Sequence, residues 1–205
     1  MTSPETTFLI ILLHGVGSNG ADLAPLGRIW ASTVPDAIFV APDAPQRSSF
    51  GTGYQWFSVA GVTEDNRPGR IAAARPAFDA VLQDIIDKNG FSGQLDRVVL
   101  VGFSQGTMMA LDAVASGRWP VAGVVGFSGR LASPEPLTPA SSMRLLLIHG
   151  SVDPVILPIE TTRAATRLEQ FGFDVRAYIE PGVAHTISAR GIGRAATFLA
   201  DIARR

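Results

Sequence analysis

Short apolar runs rich in β-branched residues alternate along this chain with longer amphipathic stretches. The runs Thr7–Leu13, Ala37–Ala41, Arg97–Val101, Val121–Phe127, Arg144–His149 and Asp174–Ile179 read as strands. The stretches Ala21–Ser32, Ile71–Lys88, Gln105–Ser116, Ile159–Phe171 and Ser188–Ala203 read as helices. Continuously hydrophobic strands separated by helices imply a parallel sheet covered on both faces, an α/β architecture. Two segments interrupt the alternation. Pro42–Arg70 is long and rich in Gly, Pro and Ser, and it carries Tyr54, Trp56 and Phe57. Long loops of this kind usually serve function. Gly129–Ser142 is shorter and reads as a surface connection.

Composition narrows the function classes. At 205 residues, 46% hydrophobic and 17% charged, the chain fits one compact domain with one core. A net charge of −1 gives no nucleic-acid footprint. The absence of cysteine removes disulfides, thiol nucleophiles and thiolate metal sites. Three histidines without an H-E-x-x-H pair argue against a zinc hydrolase. The run Phe8–Leu13 is too short for a signal-peptide core or a membrane span, and no basic segment precedes it. The expectation is a cytoplasmic protein without stable membrane insertion.

The candidate chemistry begins at Gly102-Phe103-Ser104-Gln105-Gly106, placed between a strand and a helix. In that context G-x-S-x-G is a nucleophile elbow, a strained turn that presents the serine at the end of the sheet. A Cβ at either glycine is expected to collide with a neighbouring strand or helix. Serine needs a base, and the base needs an orienting acid, in the chain order Ser, Asp or Glu, His. Asp153 follows one strand and His185 the next, so both join Ser104 at one sheet edge. For the oxyanion, the N–H of Gln105 and that of Val16, in the glycine-rich loop after the first strand, are the candidate donors.

The remaining candidates divide by place. His149 ends a strand and reads as enclosed and structural. His14 precedes the serine and reads as a brace for the Val16 loop. Ser128, in Gly126-Phe127-Ser128-Gly129-Arg130, lacks the second glycine of the motif and reads as a strand end near the site. Trp56 and Phe57 are candidate substrate-binding residues, with a hydrophobic anchor for the loop as the alternative. Glu64-Asp65-Asn66-Arg67 reads as a solvated face, with substrate contact as the alternative. Met108, Met109, Trp30 and Trp119 read as packing.

Together these motifs resemble the phospholipase/carboxylesterase family of α/β-hydrolases, which includes acyl-protein thioesterases and small bacterial carboxylesterases. The likeness runs from Leu12 to near the C-terminus. It is carried by Leu13–Gly20, Gly102–Gly106, His149–Val155 and the loop ending at His185, and most specifically by Gln105. Gln55–Val59 and Thr63–Arg67 are similar to a bacterial esterase subgroup. The resemblance implies metal-independent, cofactor-free ester hydrolysis, sometimes of thioesters or lysophospholipids. It also implies Val16 and Gln105 as oxyanion donors, and the Trp56 loop as acyl-pocket border or lid. Many members have Gly where this chain has Thr107, a departure the sequence leaves unexplained. The first strand begins close to Met1, so the expected fold is a minimal, mostly parallel sheet of about six strands with helices on both faces.

The function so implied is a serine carboxylesterase for short- to medium-chain esters. The alternatives are an acyl-thioesterase or lysophospholipase and, in a different class, a non-catalytic binding module on the same fold. The expected partner is a small-molecule ester or acyl substrate, with a homodimer left open.

Overall fold

The computed structural model describes residues 8–140 and 143–204. Thr7 of the first expected strand, and residues 141 and 142 of the second loop, lie outside that range. The strands are β1 (Phe8–Leu13), β2 (Ala37–Val40), β3 (Gln46–Arg47), β4 (Tyr54–Gln55), β5 (Val98–Phe103), β6 (Gly123–Phe127), β7 (Arg144–Gly150) and β8 (Asp174–Glu180). The helices are α1 (Gly20–Trp30), α2 (Arg67–Lys88), α3 (Gln105–Ala115), α4 (Ile159–Glu169) and α5 (Ala189–Ala203).

Six strands pair in the order β2-β1-β5-β6-β7-β8, all parallel. The small antiparallel pair β3–β4 lies in the long loop. Side chains alternate across the sheet with the strand period of two. Leu9, Ile11 and Leu13 of β1 therefore enter one core layer with Phe78 and Leu82 of α2, Met109 of α3 and Leu168 of α4. Ile10 and Leu12 enter the other with Leu26 and Trp30 of α1 and Phe198 and Leu199 of α5. The chain runs from β1 outward to β2, then crosses to β5 on the other side of β1. This reversal leaves a crevice beyond the carboxyl ends of β1 and β5, where parallel α/β sheets bind ligands.

Two differences from the expected elements have local causes. The second helix begins at Arg67 rather than Ile71, because Pro68 stands in its first turn, where a missing N–H costs no helical bond. The long loop is also not wholly irregular, since it holds the β3–β4 pair. Beneath the sheet, Asp112 of α3 is fully enclosed. Arg75 of α2 binds it through two nitrogens at 3.0 and 2.8 Å, and Arg118 adds a third contact at 3.0 Å. That cluster fastens α2 to α3 and so fixes the helix behind the elbow.

Candidate active site

The turn between β5 and α3 places Ser104 at φ 53° and ψ −113°, a backbone conformation that non-glycine residues rarely adopt. Its two glycines are there for room. A Cβ on Gly102 would stand 2.4 Å from the Thr107 nitrogen, and one on Gly106 would stand 2.0 Å from the Leu13 carbonyl oxygen. Helix and strand backbones thus close on the turn from both sides.

Thr107 explains itself in this setting. Its hydroxyl donates to the Phe127 carbonyl at 2.9 Å, the same carbonyl that accepts the Ser104 N–H at 2.9 Å. Its methyl group occupies space left by Gly126 and Gly129, whose added Cβ atoms would come within 2.6 and 2.4 Å of it. The β-branched side chain is a fitted part of the wall behind the elbow.

The loops after β7 and β8 bring Asp153 and His185 to the same edge. They are joined by Val152 N–H to the Val183 carbonyl at 3.1 Å and by Ser151 N–H to the Glu180 carbonyl at 2.8 Å. A Cβ on Gly150 would meet the Val183 carbonyl at 2.1 Å, so only glycine permits this approach. His185 Nε2 lies 3.1 Å from Ser104 Oγ, and His185 Nδ1 lies 2.7 Å from Asp153 Oδ2. The pair of contacts orients one imidazole between a hydroxyl and a carboxylate. Asp153 Oδ1 accepts the N–H groups of Val155 and Ile156 at 2.8 and 3.0 Å. Burial alone would push the Asp153 pKa up. The His185 contact and the two N–H groups outweigh it, and the pKa lies below the ordinary carboxylate value.

His149, expected to be merely structural, borders this arrangement. Its Nε2–H donates to the Ile156 carbonyl at 2.8 Å and stands 3.1 Å from Asp153 Oδ2. Its Nδ1 meets the Thr161 hydroxyl at 2.7 Å. Desolvation drives its pKa below the ordinary histidine value, despite the opposing Ile156 carbonyl and Asp153 charge. The neutral ring stands beside the carboxylate, within reach of its Oδ2. Adjacent position in H-G-S-V-D is the one sequence signal that pointed to it.

His14 braces the β1 loop as expected. Its Nδ1–H donates to the Gly15 carbonyl at 2.7 Å, and its Nε2 accepts the Ala44 N–H at 2.9 Å. Those two roles require the neutral ring, and burial lowers its pKa accordingly. Ser128 is buried at the end of β6, also at positive φ, and its hydroxyl has no partner. It touches neither His185 nor Asp153 through a hydrogen bond.

The structure separates Trp56 from Phe57. Trp56 is 1% exposed, stacks edge-on to Phe78, and donates its indole N–H to the His14 carbonyl at 2.9 Å. It is a core anchor for the long loop and does not line the cavity at Ser104. Phe57 does line that cavity, which measures about 150 Å³ and also borders Val16, Ser104, Gln105 and Met108. Val16 and Gln105 thus meet Ser104 at one opening. The Gln105 side chain, which sequence reasoning passed over, holds the loop in place. Its Oε1 accepts the Trp56 N–H and its Nε2 donates to the Phe57 carbonyl, both at 2.7 Å. Arg67, read as part of a solvated face, and Arg130 also reach the cavity wall. Among the described residues no cluster of His, Asp and Glu is arranged to hold a metal ion, and no helix is long and apolar enough to cross a membrane.

A parallel sheet with a strained serine at the β5–α3 turn, and an imidazole set between it and a carboxylate, defines an ester hydrolase of the α/β-hydrolase fold. Residues 2–203 match the Phospholipase/Carboxylesterase family, and the chain belongs to it. It is 35% identical to esterase YpfH of Escherichia coli K12 over 184 residues, covering 90% of this chain and 78% of that one. It is 26% identical to acyl-protein thioesterase 1 of Neurospora crassa, covering 95% and 86%. The crystal structure of esterase PE8 superposes with a TM-score of 0.89 at 38% identity, covering 96% of this chain and 93% of that chain.

Proposed function

We propose that this carboxylesterase works as a serine enzyme through an acyl-enzyme intermediate, with small carboxylic esters as substrates. Ser104 Oγ attacks the ester carbonyl carbon and gives its proton to His185 Nε2. The N–H groups of Val16 and Gln105 receive the negative oxygen of the tetrahedral intermediate, at about 10²–10³ in turnover each. The alkoxide leaves with the proton from His185 Nε2. Water, deprotonated by the same nitrogen, then releases the acid and restores Ser104. Asp153 holds the imidazole with its proton on Nδ1 and stabilises the cation it becomes.

The observation carrying this reading is the linked contact from Ser104 Oγ to His185 at 3.1 Å and from His185 to Asp153 at 2.7 Å. The preference for small acyl groups rests on the size of the cavity, about 150 Å³. That size suits short acyl groups better than a long fatty acyl chain, which ranks thioester or lysophospholipid hydrolysis second. The test is Ser104→Ala, for which ester turnover should drop by about 10⁶ if the three residues act as a unit. A fluorophosphonate should label Ser104 and leave Ser128 unmodified. Undiminished turnover in the alanine variant, or labelling at Ser128, overturns the assignment.

A further inference from the structure

The cavity beside Ser104 is walled mainly by Val16, Phe57, Val59, Val62, Met108 and Ile156, yet two arginines, Arg67 and Arg130, also line it. Arg67 opens α2, and Arg130 lies just past the end of β6. Each side chain is only 12% exposed. Both are bound to one carboxylate, that of Glu64. Arg67 Nη1 lies 2.6 Å from Glu64 Oε2, and Arg130 Nη1 lies 2.8 and 3.0 Å from its two oxygens. Glu64 itself is 75% exposed, so water screens its charge, while the two cations sit against apolar walls. The next carboxylate, Glu160, is 3.9 Å from Arg130 and is bound by Arg163 at 2.8 Å. Glu160 is thus engaged mainly by Arg163, and Glu64 is the carboxylate that both cavity arginines hold closely.

The donors of Arg130 are also incompletely used. Its Nη1 serves Glu64, but its Nε–H is shut off from solvent and has no acceptor. Two guanidinium groups that share one exposed carboxylate have N–H groups left over for a second planar anion.

The geometry points to an anion-binding subsite at the end of this cavity, in which Arg130 and Arg67 receive a carboxylate carried by the acyl part of the ester. The preferred substrate class is then the monoester of a short dicarboxylic acid. This rests on the serine-esterase reading, because it takes Ser104 as the position of the scissile carbonyl. In this proposal a few methylene groups separate that carbonyl from the carboxylate. Phe57, Val59 and Met108 cover those methylenes, and the guanidinium groups take the charged end.

The probes are monoethyl glutarate and ethyl pentanoate, alkyl esters of similar length that differ by the terminal carboxylate. The quantity read is the ratio of their kcat/KM values, which cancels any loss of folded or active enzyme. In the unaltered protein the ratio should favour monoethyl glutarate by about 10- to 100-fold, the effect of a charge-assisted hydrogen bond. Arg130→Met and Arg67→Met should each bring the ratio towards one, Arg130→Lys should keep part of it, and added salt should lower it. A ratio at or below one in the unaltered protein, or one that survives both methionine variants, overturns the subsite. Hydrolysis of neither ester, or of both by Ser104→Ala, instead overturns the serine-esterase reading on which it rests.

Discussion

Thr107 offers a quantitative test of how the elbow is supported. It is 1% exposed, donates to the Phe127 carbonyl, and fills the space beside Gly126 and Gly129. Thr107→Val keeps the shape and removes one hydrogen bond. The Phe127 carbonyl retains the Ser104 N–H, so the loss should be about 1 kcal/mol. Thr107→Gly removes the hydrogen bond and two buried carbons, at about 0.8 kcal/mol each, and lowers helix propensity by a few tenths. The sum is about 3 kcal/mol, before any cavity left behind adds to it. The three atoms nearest an added Cβ on Gly129 all belong to Thr107, at 2.4, 2.4 and 3.2 Å. Gly129→Ala should therefore destabilise the protein alone, and Thr107→Gly should relieve that clash. Urea unfolding of both single variants and the double variant gives the coupling. The double variant should be more stable than the sum of the single losses by at least 1 kcal/mol. Strict additivity, or equal losses for Thr107→Val and Thr107→Gly, refutes the packing argument.

Asp153→Asn should lower kcat by about 10³–10⁴ with little change in KM, since the imidazole loses its orienting acceptor; steady-state kinetics on a short-chain ester measure this. His149→Phe should lower kcat about tenfold or more by freeing the Asp153 rotamer, and equal kcat in the folded variant would show that Val155 and Ile156 suffice. Gln105→Ala strands the Trp56 N–H and the Phe57 carbonyl and should cost about 2–4 kcal/mol, with a raised KM as the loop loosens. Stability should also fall on acidification. His14 and His149 have folded pKa values below 6.5, so in the window beneath 6.5 the unfolded chain takes up protons that the folded one refuses. Each contributes up to about 1.4 kcal/mol per pH unit until its folded value is reached, and the loss is absent above 6.5. Urea midpoints between pH 8 and 5 test the sign, and His149→Phe should make the dependence shallower.

The strands and helices were legible because their signals are local. Each buried run is continuously apolar, and G-F-S-Q-G carries its own strand and helix on either side. The order Ser104, Asp153, His185 was legible for a related reason. A parallel sheet sends every strand end to the same edge, so three loops after three strands must meet there. Element ends shifted by a few residues where Pro68 or a short 3-10 turn before β5 altered the boundary.

Residue types and spacing therefore determined the sheet, the elbow and the membership of Ser104, Asp153 and His185 in one site. Tertiary structure alone decided what surrounds them. Trp56 and Phe57 are neighbours in the chain, but successive side chains point in opposite directions, and only packing shows that Trp56 enters the core while Phe57 meets the cavity. Thr107 looked like a departure until Gly126 and Gly129, distant in sequence, were seen to make room for it. Arg67 and Arg130 are 63 positions apart, and nothing local marks a charged residue as facing inward rather than outward. Contacts of that range are set by which loops the sheet brings together, and a one-dimensional pattern holds no record of them.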